Sequence, residues 1–279
     1  MFYLALRHLL SRRKQSLLTL LGILFGSMAF IAISGIMLGF RYYLIEKLVS
    51  SDAHIKITAR ETYLQERTLD DPFFSSSTPA HVFWSVPPSG RKDDNRIIDV
   101  QGWYRRIRHD PRVKHYSPTL MSQALLKLAS AQVSATIIGC DPEKQTLTTN
   151  ISSFIVEGNF SDLSRGGNRI FLGTGLMRKL GARVGQTLSL SVGTAESTPF
   201  KVMGTFRTGV APVDDFRAYV ELSDLQKLTN LRNVINEIGV TLHNLDLATM
   251  ISNQWSRLGQ EKVQSWEQAN ENLFSVFVI

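Results

Sequence analysis

Between Gln15 and Phe40 the chain reads QSLLTLLGILFGSMAFIAISGIMLGF, 26 residues without one ionisable side chain, directly after Arg12-Arg13-Lys14. No other feature restricts the fold as much. A bilayer core offers no water to a polar backbone, so a single apolar stretch can satisfy its own N–H and C=O groups there only as a helix. At 1.5 Å per residue that helix reaches about 39 Å, more than the roughly 30 Å of hydrocarbon it must cross. Arg7, Arg12, Arg13 and Lys14 precede it and no acid occurs before Glu46. The charge asymmetry therefore predicts a cytoplasmic basic tail over 1–14, a transmembrane helix over 15–40, and export of everything beyond.

A cleaved signal peptide is the competing reading, because Ala32-Ile33-Ser34 offers small residues for cleavage. The apolar run is longer than the usual 7 to 15 residues or so of such a peptide, and it continues past that site through Ile36, Met37, Leu38 and Phe40. Gly22/Gly26 and Gly35/Gly39 form two pairs of small residues four apart, a spacing that lets a second helix pack closely.

Charge points the same way. The sequence carries a formal +7, which suggests nucleic acid at first sight. Setting aside the four cations of the tail leaves 27 basic and 24 acidic residues, interspersed and without a sustained basic run. That is a mixed solvated surface, not a nucleic-acid footprint. Cys140 is the one cysteine, so no disulfide can form within the chain and no thiol pair can hold a metal.

Beyond Phe40 the segment 41–50 keeps helical apolar spacing and predicts a short helical stalk. AHIKITA, 53–59, alternates Ile55 and Ile57 with polar neighbours and reads as a half-buried strand. From 61 to 95 regularity is lost among Asp70-Asp71-Pro72, Ser75-Ser76-Ser77, Pro79 and Pro87-Pro88, which predicts a long polar loop or insertion, part of which docks through Phe73, Phe74, Phe83 and Trp84, on the domain itself first and otherwise on a partner. A helix over 97–109 buries Ile98, Trp103 and Ile107 and presents a basic face. Val113–Pro118 and Thr119–Leu128 read as two strands, and Gln132–Gly139 as a third, paired to its predecessor through Ala129-Ser130-Ala131.

Cys140-Asp141-Pro142 opens a polar connection to Phe154. In RIFLGTGLMRKLGARVGQTLSLSVG, a strand over 170–172 leads through Gly173-Thr174-Gly175 into a helix ended by Gly181, and Val184-Gly185-Gln186 turns into the strand Thr187–Val192. Further strands are expected over 200–207, 218–221 and 235–242. Ser223-Asp224 is expected to cap a short helix over 225–229, and 245–258 an amphipathic helix with Leu247, Met250, Ile251 and Trp255. The exported region, 41–272, is thus an α+β domain. LFSVFVI, 273–279, reads as the start of a second transmembrane helix cut short.

Chemistry is scarce. The glycines of Gly173-Thr174-Gly175 match neither G-x-G-x-x-G nor a Walker loop, which leaves turn formation as their role. His8, His54, His81, His109, His115 and His243 form no metal-binding spacing. Asp214-Asp215, read as neighbours on a strand, would point to opposite faces and make a poor acid/base pair. The sequence therefore predicts no enzyme, no catalytic or metal-binding residue and no cofactor.

The basic tail, the early span ending SGIMLGF, the strand HIKITA, the segment RIFLGTGLMRKLGARVGQTLSLSV, FKVMGTF, DDFRAYVELSDLQKL and VQSWEQANENLF together resemble the permease subunits of lipoprotein-releasing ABC transporters, the LolC/LolE type, within the wider MacB/FtsX-like family. The resemblance implies a MacB-like periplasmic core domain in the bacterial inner membrane, a second permease subunit, and a cytoplasmic ATPase on another chain that holds ATP and Mg. It implies membrane lipid and a lipoprotein as what the helix meets. It further implies a periplasmic lipoprotein carrier, although the connection at 193–199 is short for the hairpin that docks such a carrier. Acyl chains would then enter at the outer end of the span, where Ile36, Phe40 and Tyr43 share one helical stripe with Met37 beside it. Two alternatives stand beside this one: a bitopic periplasmic binding or scaffold protein, and a related permease that exports another substrate or regulates cell-envelope enzymes.

Overall fold

The computed structural model describes residues 13–51, 53–64, 84–86, 89–93, 96–193 and 196–271. Two compact units divide the chain, with boundaries after Leu48 and before Asn272. The first holds all but the last three residues of α1 (Arg13–Ser51), one uninterrupted helix of 39 residues. Its apolar residues are spread evenly around the axis rather than gathered on one face, the signature of a helix apolar all round. The span from Lys14 to Phe40 is long and apolar enough to cross a membrane, and none of it is buried by the rest of the protein. Its hydroxyls turn inward on the backbone, Thr19 Oγ1 donating to the Gln15 carbonyl and Ser27 Oγ to the Leu24 carbonyl, both at 3.0 Å. An apolar surrounding demands that arrangement. The helical backbone runs on through 41–51, as the stalk requires.

The second unit is mixed α+β. Its strands, in chain order, are β1 (Ile55–Thr58), β2 (Glu61–Tyr63), β3 (Arg91–Asp93), β4 (Val113–Leu128), β5 (Ala131–Cys140), β6 (Ile155–Glu157), β7 (Arg169–Gly173), β8 (Thr187–Ser191), β9 (Thr198–Phe206), β10 (Arg217–Glu221), β11 (Glu237–Leu242) and β12 (Lys262–Ser265). Between them lie α2 (Val100–His109), α3 (Pro142–Thr148), α4 (Thr174–Leu180), α5 (Ala211–Phe216), α6 (Leu222–Leu228), α7 (Ala248–Trp255) and α8 (Trp266–Ala269). Strands β2 and β3 pair only with each other. The others form a ten-stranded sheet in the order β12-β1-β11-β4-β5-β10-β7-β9-β6, with β8 joining both β4 and β9.

That extra strand closes a ring. β4 pairs with β5, β5 with β10, β10 with β7, β7 with β9, β9 with β8, and β8 with β4 again. One apolar cluster fills it, including Leu126, Ile137, Ile170, Leu172, Leu190, Phe200, Val202 and Val220, with Leu176 and Leu180 of α4 and Leu225 of α6. The alternate residues Ile138, Phe171 and Tyr219 point the other way into a second cluster with Phe160 and Phe206. Successive strand residues face opposite sides, so this part of the sheet is buried on both. Within the second cluster Phe160, Phe171, Tyr219 and Phe206 meet edge to face at 5.2 to 5.6 Å, the arrangement that ring quadrupoles favour.

Several expectations need correction. The two strands around Pro118 are one sixteen-residue strand. The Thr119 carbonyl accepts from Asn236 N on the β11 side, so Pro118 turns its missing donor to the β5 side, one residue beyond the end of that ladder at Thr119↔Cys140. A proline is tolerated there because no bond is lost. Ile97 rather than Ile98 is buried, Ile98 being 69% exposed. The polar connection after Cys140 contains α3, whose amides Glu143 N and Lys144 N donate to Asp141 Oδ1. Asp141 followed by Pro142 is a helix start, a cap and a proline at the first helical position. Helix α6 begins at Leu222 with no side-chain cap, so Ser223 and Asp224 lie in its first turn. The C-terminal amphipathic helix is confined to Ala248–Trp255, with Met250 exposed. Asp214 and Asp215 sit on helix α5, not on a strand. Expectations for Phe73, Phe74, Phe83, the tail before Arg13 and residues 273–279 fall outside the described residues.

Candidate functional site

Along α1 the stripe that would meet acyl chains is partly open. Ile36 is 72% exposed and Phe40 51%, while Met37 is half-buried and the side chain of Tyr43 lies outside the described part. A side chain built at Gly22, Gly26, Gly35 or Gly39 would meet nothing within 4 Å. The helix thus presents an apolar surface, and four flat places on it, that no other described part of the chain covers.

In the folded domain, the structure brings together two motifs that stand forty residues apart in the sequence. Helix α5 packs on the Gly173-Thr174-Gly175 turn so closely that a Cβ at Gly173 would land on the Asp214 carbonyl oxygen, and one at Gly175 on an Asp215 carboxylate oxygen. These glycines serve close approach, not phosphate binding. Asp214 in turn holds the preceding loop: Thr208 N and Thr208 Oγ1 donate to its Oδ1 at 2.7 and 2.8 Å, and Gly209 N donates to Oδ2 at 3.0 Å. Asp215 pairs with Lys179 Nζ at 3.0 Å, and that ammonium also lies 3.8 Å above the Phe216 ring. A cleft of about 400 Å³ opens beside them, lined by Val156, Thr174, Arg178 and Arg207 among others. Both carboxylates are already engaged, so the pair does not form an acid/base dyad.

Cys140, His54 and His109 are tied into the fold. Burial, reinforced by Asp141 and Glu221, pushes the Cys140 thiol far above its ordinary range, which leaves it a small apolar core residue. His54 Nδ1 accepts from Leu242 N at 3.2 Å, and burial followed by the nearby Lys114 charge lowers its pKa. His109 Nδ1 stands 2.7 Å from its own helix at the Arg105 carbonyl, and His115 lies in the β4 ladder opposite Thr241. Among the described residues no three His, Cys, Asp or Glu side chains gather to hold a metal.

One grouping escaped the sequence reading. Helix α2 lies along the start of β4, Tyr104 against Tyr116 at 5.5 Å and Arg108 Nε donating to Tyr116 Oη at 3.0 Å. Asp110 is taken by Arg112 through both of its oxygens, at 2.8 and 2.6 Å, which holds its carboxyl below the usual range. Arg105, Arg106, Arg108 and Lys114 have no carboxylate within ion-pair distance among the described residues. The basic face of α2 was legible; its meeting with Lys114 depends on how the helix packs on β4.

Comparison with known proteins adds the following. The family model described as the MacB-like periplasmic core domain matches residues 16–258. The lipoprotein-releasing system transmembrane protein LolC of Xylella fastidiosa (strain Temecula1) is 25% identical over 289 residues, covering 98% of this chain and 62% of that protein. LolC of Neisseria meningitidis serogroup B is 25% identical over 193 residues, covering 65% of this chain and 46% of that protein. The chain therefore spans less than two thirds of the length of these curated relatives. Among solved structures, the periplasmic region of MacB from Actinobacillus actinomycetemcomitans aligns with a TM-score of 0.48 and 11% identity, over 82% of this chain and 95% of that one.

Proposed function

The chain belongs to the MacB-like periplasmic core domain family, and from that premise we propose that it is a non-catalytic permease subunit of an ABC transporter. The observation that carries this reading is the extent of the match. It opens at residue 16, inside the apolar span, and runs through the sheet to residue 258, so span and domain are matched as one unit. The charge asymmetry around α1 supports a cytoplasmic N-terminus and a domain on the outer side of the inner membrane. ATP and Mg belong to a separate ATPase subunit, and a second permease subunit completes the pair.

Lipoprotein is the substrate this reading assigns, following the names of the relatives. Work done at the cytoplasmic face would reach the domain through α1. That helix contains no proline and runs unbroken to Ser51, four residues before β1, so a tilt is not absorbed at a kink. Ile36, Met37, Phe40 and Tyr43 at its outer end receive acyl chains, since only apolar side chains accept them without stripping water from polar groups. The small residues Gly22, Gly26, Gly35 and Gly39 accept the neighbouring helix.

The test is purification of the full gene product from membranes, followed by a release assay in spheroplasts. Co-purification of an ATPase together with ATP-dependent lipoprotein release supports the proposal. An ATPase without lipoprotein release would assign another substrate, and no ATPase at all would favour a bitopic scaffold.

A further inference from the structure

The registers of the sheet fix which of its ends receives the chain from α1. Ile55 of β1 lies opposite Val240 of β11 and opposite Ser265 of β12, and Leu242, two residues beyond Val240, lies opposite Val113 at the start of β4. Hydrogen bonds close this row: Leu242 N to His54 Nδ1, Trp266 N to the His54 carbonyl, and His243 N to the Arg112 carbonyl. The entry of β1, the exit of β12 and the junction of α2 with β4 therefore share one end of the sheet. That end is basic. Arg108 bonds Tyr116, Lys114 stands at the β-bulge two residues before that tyrosine, and Arg105 and Arg106 continue the charge along α2.

We propose that this end of the domain is a docking face for anionic phospholipid headgroups of the membrane that α1 spans, with Arg105, Arg106, Arg108 and Lys114 as its cations. The inference rests on α1 being a membrane span, but not on which way it is inserted, because the domain follows the Phe40 end in either case. From Phe40 the helix runs only eleven residues further, to Ser51, and β1 begins four residues later, so the chain that leaves the span enters the sheet at this end. Cations spread over a helix and a strand suit a diffuse negative plane, where each contributes by proximity and none needs a shaped pocket. Arg106 and Arg108 are held by aromatic rings, 5.0 Å above Trp103 and 5.9 Å from Tyr104, so less freedom is lost on docking. Of the acids at the same end, Asp110 is held by Arg112 and Glu267 accepts from Thr249 Oγ1, while Asp246, just past β11, and Glu271, just past α8, are exposed and are outnumbered by the four cations.

The test uses the full chain in lipid nanodiscs, either zwitterionic or containing a third anionic phospholipid, with amide exchange read over residues 100–116. Co-elution with both kinds of disc establishes the span independently of docking. Slower exchange only in the anionic discs, weakening as salt is raised, is the expected result. The double variant Arg105→Glu, Lys114→Glu replaces two exposed side chains and reverses two charges, and should lower the protection at least twentyfold, at about fivefold per cation lost. The variant Arg105→Lys, Lys114→Arg keeps the charge and should keep the protection. Equal exchange in the two discs would overturn the proposal. So would equal protection from millimolar inorganic phosphate in zwitterionic discs, which would mean a phosphate site, or protection that depends on an added acidic protein.

Discussion

Asp214 shows how much one side chain can fix in this fold. Its carboxylate gathers three donors from Thr208 and Gly209 while its carbonyl presses on Gly173, so loop, helix and turn are set by one residue. Two substitutions separate the contacts. Gly173→Ala would drive a methyl group into backbone that cannot move aside, and should cost about 1–3 kcal/mol. Gly175→Ala meets first the far end of the Asp215 side chain, which can swing away from Lys179, and comes no closer to backbone than 3.1 Å, at the Asp214 carbonyl oxygen, so it should cost less. Urea denaturation of the two variants, compared by midpoint, reads the difference; equal losses would mean that α5 gives way as a whole. A second residue-scale consequence concerns pH. His54 has a folded pKa below its ordinary value of 6.5, so the unfolded chain takes up the proton first. The stability it contributes is complete above about pH 6.5 and is lost as pH falls through that value toward the folded pKa. The urea midpoint should drop between pH 7.5 and 5.5, and His54→Asn, which keeps an acceptor for Leu242 N but does not titrate, should drop less.

Individual elements were legible where one residue type marks them. Gly181, with φ 63°, ends α4 as the sequence implied, and the alternation of Ile55 and Ile57 gave β1 its buried face. What could not be read was which strand meets which. β4 is long because it changes partners, pairing with β11 over Val113–Thr119 and with β8 over Leu125–Lys127, and no local pattern announces a ring closed by strands far apart in the chain. Asn236 stands at this change of partner. Its side-chain amide bonds both backbone groups of Met121, Nδ2 donating to the carbonyl and Oδ1 accepting from the N–H, each at 2.8 Å. It extends the β11 ladder by one rung without a further strand residue. Asn236→Ala would leave both Met121 groups without that partner at a partly buried place and should destabilise by about 1–3 kcal/mol. Exchange of the Met121 amide should accelerate well before that of Leu126, deeper in the ring. Unchanged exchange at Met121 would show that water replaces the asparagine at no cost.

At the scale of the whole molecule, an apolar helix and a folded domain divide the work, and only the helix could be placed from the sequence with its limits nearly intact. Candidate contacts on the helix were legible because spacing alone defines a helical stripe, whereas the cationic end of the sheet was not, being assembled from α2 and β4 through tertiary pairing. On the proposed reading, the stripe makes a prediction for the complete protein with its partner ATPase. Phe40 is at the last residue of the span, where a carboxylate costs much less than the roughly 3 kcal/mol it would cost at mid-helix, because the headgroup region is within reach. Phe40→Asp should therefore insert normally and assemble with the ATPase. It should nevertheless block lipoprotein release, because an acyl chain reaching that level would meet a charge in place of a ring. Leu38→Asp is the control: Leu38 is similarly exposed, at 53% against 51%, but two residues along a helix put it about 200° around the axis from Phe40. Release in spheroplasts lost with Phe40→Asp and kept with Leu38→Asp would assign substrate contact to the stripe. Equal loss in both would mean that any charge at this depth disturbs the helix, and normal release by Phe40→Asp would place the acyl path elsewhere.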